Sequence, residues 1–308
     1  MVAHALENYG FKNLVVAFLR HNENMTYKIT DGGKSYVLRV HKPTEGMDMS
    51  FLRMGKTLLE HVTSEMELLQ SLRGEGSLGT QKVICNKYGS FVSFLEDGTP
   101  VTVLEWIEGD TLDNMEISPD TAEEIGKMIG RLHTDVSKLT IKGRYSYDFN
   151  MLSRMITEVD NACTQGHYAT SHVTTMKDTI EHIQEYFSHT QRNFILTHAD
   201  LGKSNLVWND GRVVPIDFSL SGYCIPEMDI ASVFSHINDE TLNPNILRGY
   251  QSTCEFIPDE KGIAACFCFQ ILLFLTAQHN RIAGEPWLSV KMDDWCEGYF
   301  RPLLGGRA

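Results

Sequence analysis

Two short stretches near the start of the chain set the first period. Met25-Thr26-Tyr27-Lys28-Ile29 and Ser35-Tyr36-Val37-Leu38-Arg39-Val40 are rich in β-branched and aromatic residues, and Asp31-Gly32-Gly33 separates them, so the pattern predicts an antiparallel hairpin. The period then changes to that of a helix over residues 57–72, followed by a strand-like run at 82–85. A second hairpin is predicted from residues 90–95 and 101–104 around Asp97-Gly98-Thr99. Ser118 followed by Pro119 reads as an N-cap and first helical position, and Ile125, Met128, Ile129 and Leu132 give that helix one apolar stripe. Residues 145–194 read as helical and polar. A further hairpin turn is expected at Asn209-Asp210-Gly211, ahead of the apolar run Val213-Val214-Pro215-Ile216. The most apolar segment, residues 263–277, contains Gln270 and is shorter than the roughly 20 residues of a membrane span, so a buried helix is expected there and no membrane partner.

Composition narrows the class. A chain of 308 residues, 42% hydrophobic and 22% charged, is long enough for one sizeable core or two lobes. Its net charge of −13 argues against nucleic acid, whose binding needs Lys and Arg to neutralise phosphates. The charge is uneven: 11 basic and 13 acidic residues run through Glu108, against 16 and 27 after it. A cationic small molecule would therefore be welcome in the second half, although solubility alone explains the same excess. Seven cysteines, without a C-x-x-C pair, fit a reducing cytoplasmic setting, with Cys266 and Cys268 as core packing. No His/Cys spacing suits structural zinc. The first residues lack a basic stretch followed by an apolar one, so no signal peptide is expected. No repeat or low-complexity tract is present, and the oligomeric state is left open.

The chemistry concentrates in His198-Ala199-Asp200-Leu201-Gly202-Lys203-Ser204-Asn205 and in Asp217, at the end of the apolar run. The spacing H-x-D-x-x-x-x-N is that of a phosphoryl-transfer loop, in which one Asp orients and deprotonates a hydroxyl. Asp200 is the candidate for that role. Asn205 and Asp217 are candidates to hold Mg²⁺ against the phosphates of ATP. A carboxylate ending an apolar strand carries a desolvation cost that needs a partner, and Mg²⁺ would be one. The plain alternative makes Asp200 and Asp217 ordinary loop and strand-end carboxylates.

These motifs resemble the aminoglycoside phosphotransferase family, within the protein-kinase-like small-molecule kinases that include choline and homoserine kinases. That family commonly reads H-G-D-L-G-x-x-N where this chain reads H-A-D-L-G-K-S-N, and D-I-A or D-L-A where it has Asp229-Ile230-Ala231. Ala199 replaces the usual Gly and Ser219 breaks D-F-G, but neither change removes a ligand or base. The resemblance implies an α+β, two-lobed protein-kinase-like fold. An N-terminal antiparallel-sheet lobe (1–108) would bind nucleotide, and a mainly helical C-terminal lobe (109–308) would carry catalysis and the acceptor.

Within the first lobe the resemblance gives Arg39, in V-L-R-V, the part of the phosphate-pairing cation, for which the planar guanidinium fork is suited. Glu65 would pair with it, with Glu67 as the rival because helical phase does not single out one. Glu23-Asn24-Met25-Thr26-Tyr27 matches the family's E-N-x-T-Y, which would lay the backbone of Asn24 and Met25 over the phosphates. Glu105, Trp106 and Ile107 follow an apolar strand and are candidates to meet adenine through the main chain. His133 is expected to be structural, and Asp229 to tie down the catalytic loop. Gly74-Glu75-Gly76-Ser77-Leu78-Gly79 is a literal G-x-G-x-x-G, but a helix precedes it and a strand follows, the reverse of a dinucleotide site. The expected function is ATP- and Mg²⁺-dependent transfer to a hydroxyl of a small, amine-bearing molecule. Homoserine, choline or sugar kinases of the same fold are alternatives, as is a non-catalytic nucleotide-binding protein.

Overall fold

The computed structural model describes residues 2–75, 78–190 and 193–305. After a short helix α1 (Ala3–Leu6), a five-stranded antiparallel sheet forms from β1 (Val15–His21), β2 (Met25–Asp31), β3 (Lys34–Val40), β4 (Val92–Phe94) and β5 (Pro100–Glu105), in the order β1-β2-β3-β5-β4. Helix α2 (Leu58–Glu75) lies between β3 and β4 in the chain. Ile29, Leu38, Val40, Val101 and Val103 form the sheet's buried face, closed by Ala5 and Leu6 of α1.

The sequence pattern misses β1, whose residues Val15, Val16, Phe18 and Leu19 are all exposed, so no alternation marks it. Residues 82–85 form no strand. They make one isolated bridge, Val83 to Leu104, and the Ile84 N–H donates to the Val103 carbonyl. Around the glycine-rich stretch, α2 runs to Glu75, while Gly76 and Ser77 lie outside the described residues.

The second lobe opens with β6 (Asp110–Thr111), then α3 (Pro119–Val136), β7 (Tyr145–Ser146), α4 (Phe149–Thr164) and α5 (Thr170–His189). Ser118 caps α3 by accepting the Thr121 N–H, and Pro119 fills the first helical position. Next come β8 (Ile195–Thr197), β9 (Leu206–Asn209), β10 (Arg212–Pro215) and β11 (Gly222–Cys224), followed by α6 (Glu227–Ile237), α7 (Asn243–Gln251), α8 (Glu260–Ile282), α9 (Leu288–Trp295) and α10 (Arg301–Leu304). Two small three-stranded sheets, β10-β9-β6 and β7-β11-β8, present the loops between their strands to the site. Asp210 (φ 46°) and Gly211 (φ 81°) make the left-handed turn joining β9 to β10.

Helix α8 is longer than expected, at 23 residues, which is enough by length and composition to cross a membrane. Cys266, Phe269, Leu272 and Leu275 are nonetheless buried in the helical core with Met155 of α4, Ile180 of α5 and Met228 of α6, so it serves as the lobe's central helix. Helices α3 and α7 approach closely because Gly126 and Gly249 lack a Cβ, which at either position would run into the facing helix backbone.

Candidate active site

Three segments converge where the lobes meet: β3 with α2, the loop from β8 to β9, and the end of β10. Arg39 of β3 is buried, and its Nη2 donates to Glu65 Oε1 of α2 at 2.6 Å. Its Nη1 donates to Asp217 Oδ1 at 3.0 Å. Glu65, and not the exposed Glu67, is thus the acid that meets Arg39. Burial alone would lower the Arg39 pKa, but Glu65 and then Asp217 outweigh it and raise it.

Asp217 follows β10 in a left-handed backbone conformation (φ 64°, ψ 72°). A non-glycine residue there costs on the order of 1–3 kcal/mol and persists only where surroundings over-determine it. Burial works to raise the Asp217 pKa, yet Arg39 and Arg20 prevail and hold it below the ordinary range. Arg20 of β1 donates to Asp217 Oδ2 at 3.1 Å, a contact the sequence offers no signal for.

The catalytic-loop candidates come together on the opposite wall. Asn205 Nδ2 donates to the Asp200 main-chain oxygen at 3.0 Å and to Asp200 Oδ2 at 2.8 Å. Burial raises the Asp200 pKa, with His198 opposing and Asp217 reinforcing the shift. Asp229 of α6 is wholly buried; Oδ2 accepts the His198 N–H at 2.9 Å and Oδ1 the Ala199 N–H at 2.7 Å. One turn on, Ser232 Oγ accepts the Leu201 N–H at 2.8 Å. Ala199 is itself left-handed (φ 63°), the conformation for which glycine is favoured, and Asp229 pins it there. His133 is structural: Nε2 meets Asp229 at 3.0 Å and Nδ1 meets the Tyr250 hydroxyl at 2.8 Å.

Two supporting residues escape sequence reasoning. Arg144 is fully buried and donates to the carbonyls of His61, Phe218, Ser219 and Ser221, fastening α2 to the segment that carries Asp217. Gln270 donates to the Ala199 carbonyl at 3.0 Å; a polar residue inside the apolar α8 was the available signal.

Asn24 is buried and Met25 begins β2, pairing with Val40. Of the three adenine candidates, Glu105 spends its N–H on the Lys82 carbonyl and Trp106 its N–H on the Ser35 carbonyl. The Glu105 carbonyl already accepts from Gln81 Nε2, and the Trp106 ring carries Lys28 Nζ at 4.0 Å. Ile107 keeps the main-chain N–H that has no partner among the described residues.

The donor set fits a hard divalent cation beside phosphates. Asn205 uses its NH₂ on Asp200, so its oxygen is the atom left to offer a metal, and Asp217 supplies carboxylate oxygen. Arg39 Nε is buried without a protein partner, a donor available to phosphate. From Asp200 a cavity of about 970 Å³ opens between α6, α8 and α9, its walls including Phe267, Phe274, Trp295 and Tyr299. Glu240, Asp294 and Glu297 also line it, against one ammonium, Lys291, whereas burial and then the nearby Asp217 and Asp200 push the Glu23 carboxyl on the same wall up to about 8.

An antiparallel-sheet lobe with a buried Arg–Glu pair, set over a mainly helical lobe that carries the H-x-D-x-x-x-x-N loop, defines a protein-kinase-like fold. The chain belongs to the choline/ethanolamine kinase family, whose family model matches residues 90–257. It is 23% identical over 231 residues to amicoumacin kinase of Bacillus subtilis (strain 168), covering 72% of this chain and 63% of that kinase, less than two thirds of its length. The solved structure of the microcompartment-associated aminopropanol kinase is similar in fold, with a TM-score of 0.74, 21% identity, and coverage of 96% of this chain and 93% of that one. The amicoumacin kinase hAmiN, solved with AMP-PNP, Ca²⁺ and Ami, aligns with a TM-score of 0.75, 17% identity, and coverage of 98% and 91%.

Proposed function

We propose that this protein is an ATP- and Mg²⁺-dependent kinase that phosphorylates a hydroxyl of a small amine-bearing alcohol in a reducing, cytoplasmic setting. The observation that carries the reading is the pair of linked clusters, Glu65–Arg39–Asp217 and Asn205–Asp200. Asp200 Oδ2 is held by Asn205, which leaves Oδ1 to orient the acceptor hydroxyl and take its proton. Burial raises its pKa, which makes it a better proton acceptor than an ordinary aspartate. Asn205 and Asp217 hold Mg²⁺, which when bound offsets the charge that develops on the transferring phosphoryl group. Arg39, steadied by Glu65, grips the phosphates. The Asn24–Met25 backbone lies over them, and adenine meets the main chain of residues 105–107, with Ile107 as the donor.

The acceptor assignment rests on the cavity beside Asp200. Aromatic faces and an excess of carboxylates attract an ammonium by cation–π and Coulomb terms together, and both strengthen as water is excluded. The likeness to kinases of choline, ethanolamine and aminopropanol, all amino alcohols, supports the same class. We place the lobe boundary after Glu108, supported by β5 ending at Glu105 and by β6 joining the other lobe's sheet.

Mg²⁺-dependent ADP release with a panel of amino alcohols, aminoglycosides, homoserine and sugars tests the function, run beside Asp200→Asn. Release stimulated by an amine-bearing acceptor and lost in the variant is the expected result. Stimulation by a neutral sugar alone would overturn the acceptor class, and a protein that binds nucleotide without any transfer would overturn the kinase.

A further inference from the structure

Asp217 carries a guanidinium on each carboxylate oxygen, Arg39 on Oδ1 and Arg20 on Oδ2. The two arginines are held very differently. Arg39 is 3% exposed and is also bound by Glu65, so it is fixed from two sides. Arg20 is 39% exposed, and Asp217 is its one hydrogen-bond partner among the described residues. It stands at the end of β1, just past a register shift between Phe18 and Arg20 that re-aims the side chains along the strand. That strand end leads into the turn ahead of β2, the turn proposed to cover the phosphates.

The consequence follows from charge. Two guanidinium groups on Asp217 repel a divalent cation that approaches the same carboxylate, so metal binding there is favoured when one of them moves away. Arg20 is the one that can leave, because among the described residues it has no second hydrogen-bond partner and only a Coulomb attraction to Glu23 besides. The Mg²⁺–nucleotide brings phosphate oxygens to the same place, and a guanidinium fork pairs with phosphate as well as with carboxylate. We propose that Arg20 is a second phosphate-binding cation, parked on Asp217 and handed over to the nucleotide phosphates when Asp217 takes up the metal. The proposal rests on the reading of Asp217 as a metal ligand. Under it, Arg20 has two opposed effects: it weakens binding of metal alone and strengthens binding of metal with nucleotide.

The test is calorimetry of Mg²⁺–AMP-PNP binding, with Mn²⁺ binding alone followed by electron spin resonance, on the wild-type chain, Arg20→Gln and Arg20→Lys. For Arg20→Gln the expected result is about tenfold weaker Mg²⁺–AMP-PNP binding, the scale of one charge-assisted hydrogen bond, and Mn²⁺ alone bound several-fold tighter. Raising the salt concentration should weaken nucleotide binding less in Arg20→Gln than in wild type, because one phosphate-facing charge is gone. Arg20→Lys keeps the charge without the fork and should fall between the two. Mg²⁺–AMP-PNP affinity within twofold of wild type in Arg20→Gln overturns the handover, whatever Mn²⁺ does. Absence of Mg²⁺–AMP-PNP binding in the wild type itself overturns instead the underlying reading of the site, so the two failures are distinct.

Discussion

Arg144 Nη2 donates to the Phe218 carbonyl oxygen at 2.8 Å, across a sequence separation of 74 residues. The same guanidinium reaches the carbonyls of Ser219, Ser221 and His61, so one buried cation gathers four main-chain oxygens around the residues after Asp217. Burial presses its pKa down and Glu65 opposes that shift. No carboxylate hydrogen-bonds to it among the described residues; backbone dipoles take that place. Arg144→Met removes one donor from each of those carbonyls, although Ser219 keeps His61 Nε2–H, Phe218 keeps the Ser221 N–H and His61 keeps Ser64 Oγ, and should cost about 2–3 kcal/mol, the scale of hydrogen bonds to a charged group. Urea unfolding at pH 7 measures it. A loss below about 1 kcal/mol would show that the carbonyls find other donors. Because Asp217 sits in a left-handed conformation that this network helps to fix, the folded fraction of the variant should also need more Mg²⁺ for half-maximal nucleotide binding.

Asp229 acts on the other wall in the same spirit. Its carboxylate takes the N–H groups of His198 and Ala199 and the His133 ring, all without exposure to solvent. Asp229→Ala removes all three partnerships and should lower stability by about 3–5 kcal/mol. Asp229→Asn keeps the shape but turns an NH₂ toward a donor, and should give a smaller stability loss. It should still give a kcat reduced at least tenfold, since small misplacements of a catalytic group are costly. Unchanged KM for nucleotide alongside reduced kcat would mark the effect as one on the Asp200 loop; a purely structural role would lower only the amount of folded enzyme.

The Asn205–Asp200 contact sets a pH prediction. Asn205→Asp would place a second carboxyl beside Asp200 Oδ2, where the amide now donates at 2.8 Å. Two carboxyls that close share a proton, so the acid limb of the kcat/KM profile should move to higher pH. An unmoved limb would mean that Asp200 does not control that limb.

How much of this was legible in the chain depends on where each partner lies. Asp200, Asn205 and Asp217 are close in sequence, and the H-x-D-x-x-x-x-N spacing, the β9–β10 turn and the strand end are local signals. The strand carrying Arg39 and the Ser118 cap could be read for the same reason. The choice of Glu65 over Glu67 could not, because the phase of α2 relative to β3 is fixed only by packing. Strand β1 stayed hidden because it is an edge strand with apolar residues facing water, without the alternation that marks a half-buried strand. Arg20 and Arg144 are ordinary arginines in sequence. Their partners lie 197 and 74 to 83 residues away, so only the fold reveals them.

His61 gives the chain an acid sensitivity whose sign can be worked out. It is buried, its Nε2–H donates to the Ser219 carbonyl at 2.9 Å, and burial together with the neighbouring Arg144 lowers its pKa from 6.5 to about 3. His41, buried beside Arg39, is likewise held well below its ordinary value. In the unfolded chain both rings take up a proton near pH 6.5, whereas in the folded protein they stay neutral. Between those limits the unfolded state binds more protons, so stability is complete above about pH 6.5 and falls as the pH drops toward 3. Each ring contributes a slope of about 1.4 kcal/mol per pH unit within that window. His61→Asn keeps a donor for Ser219 but cannot titrate, so its urea-derived stability should fall less steeply between pH 6 and 4.5 than that of the wild type. Equal slopes would mean that His61 is protonated, or exposed, in the folded state.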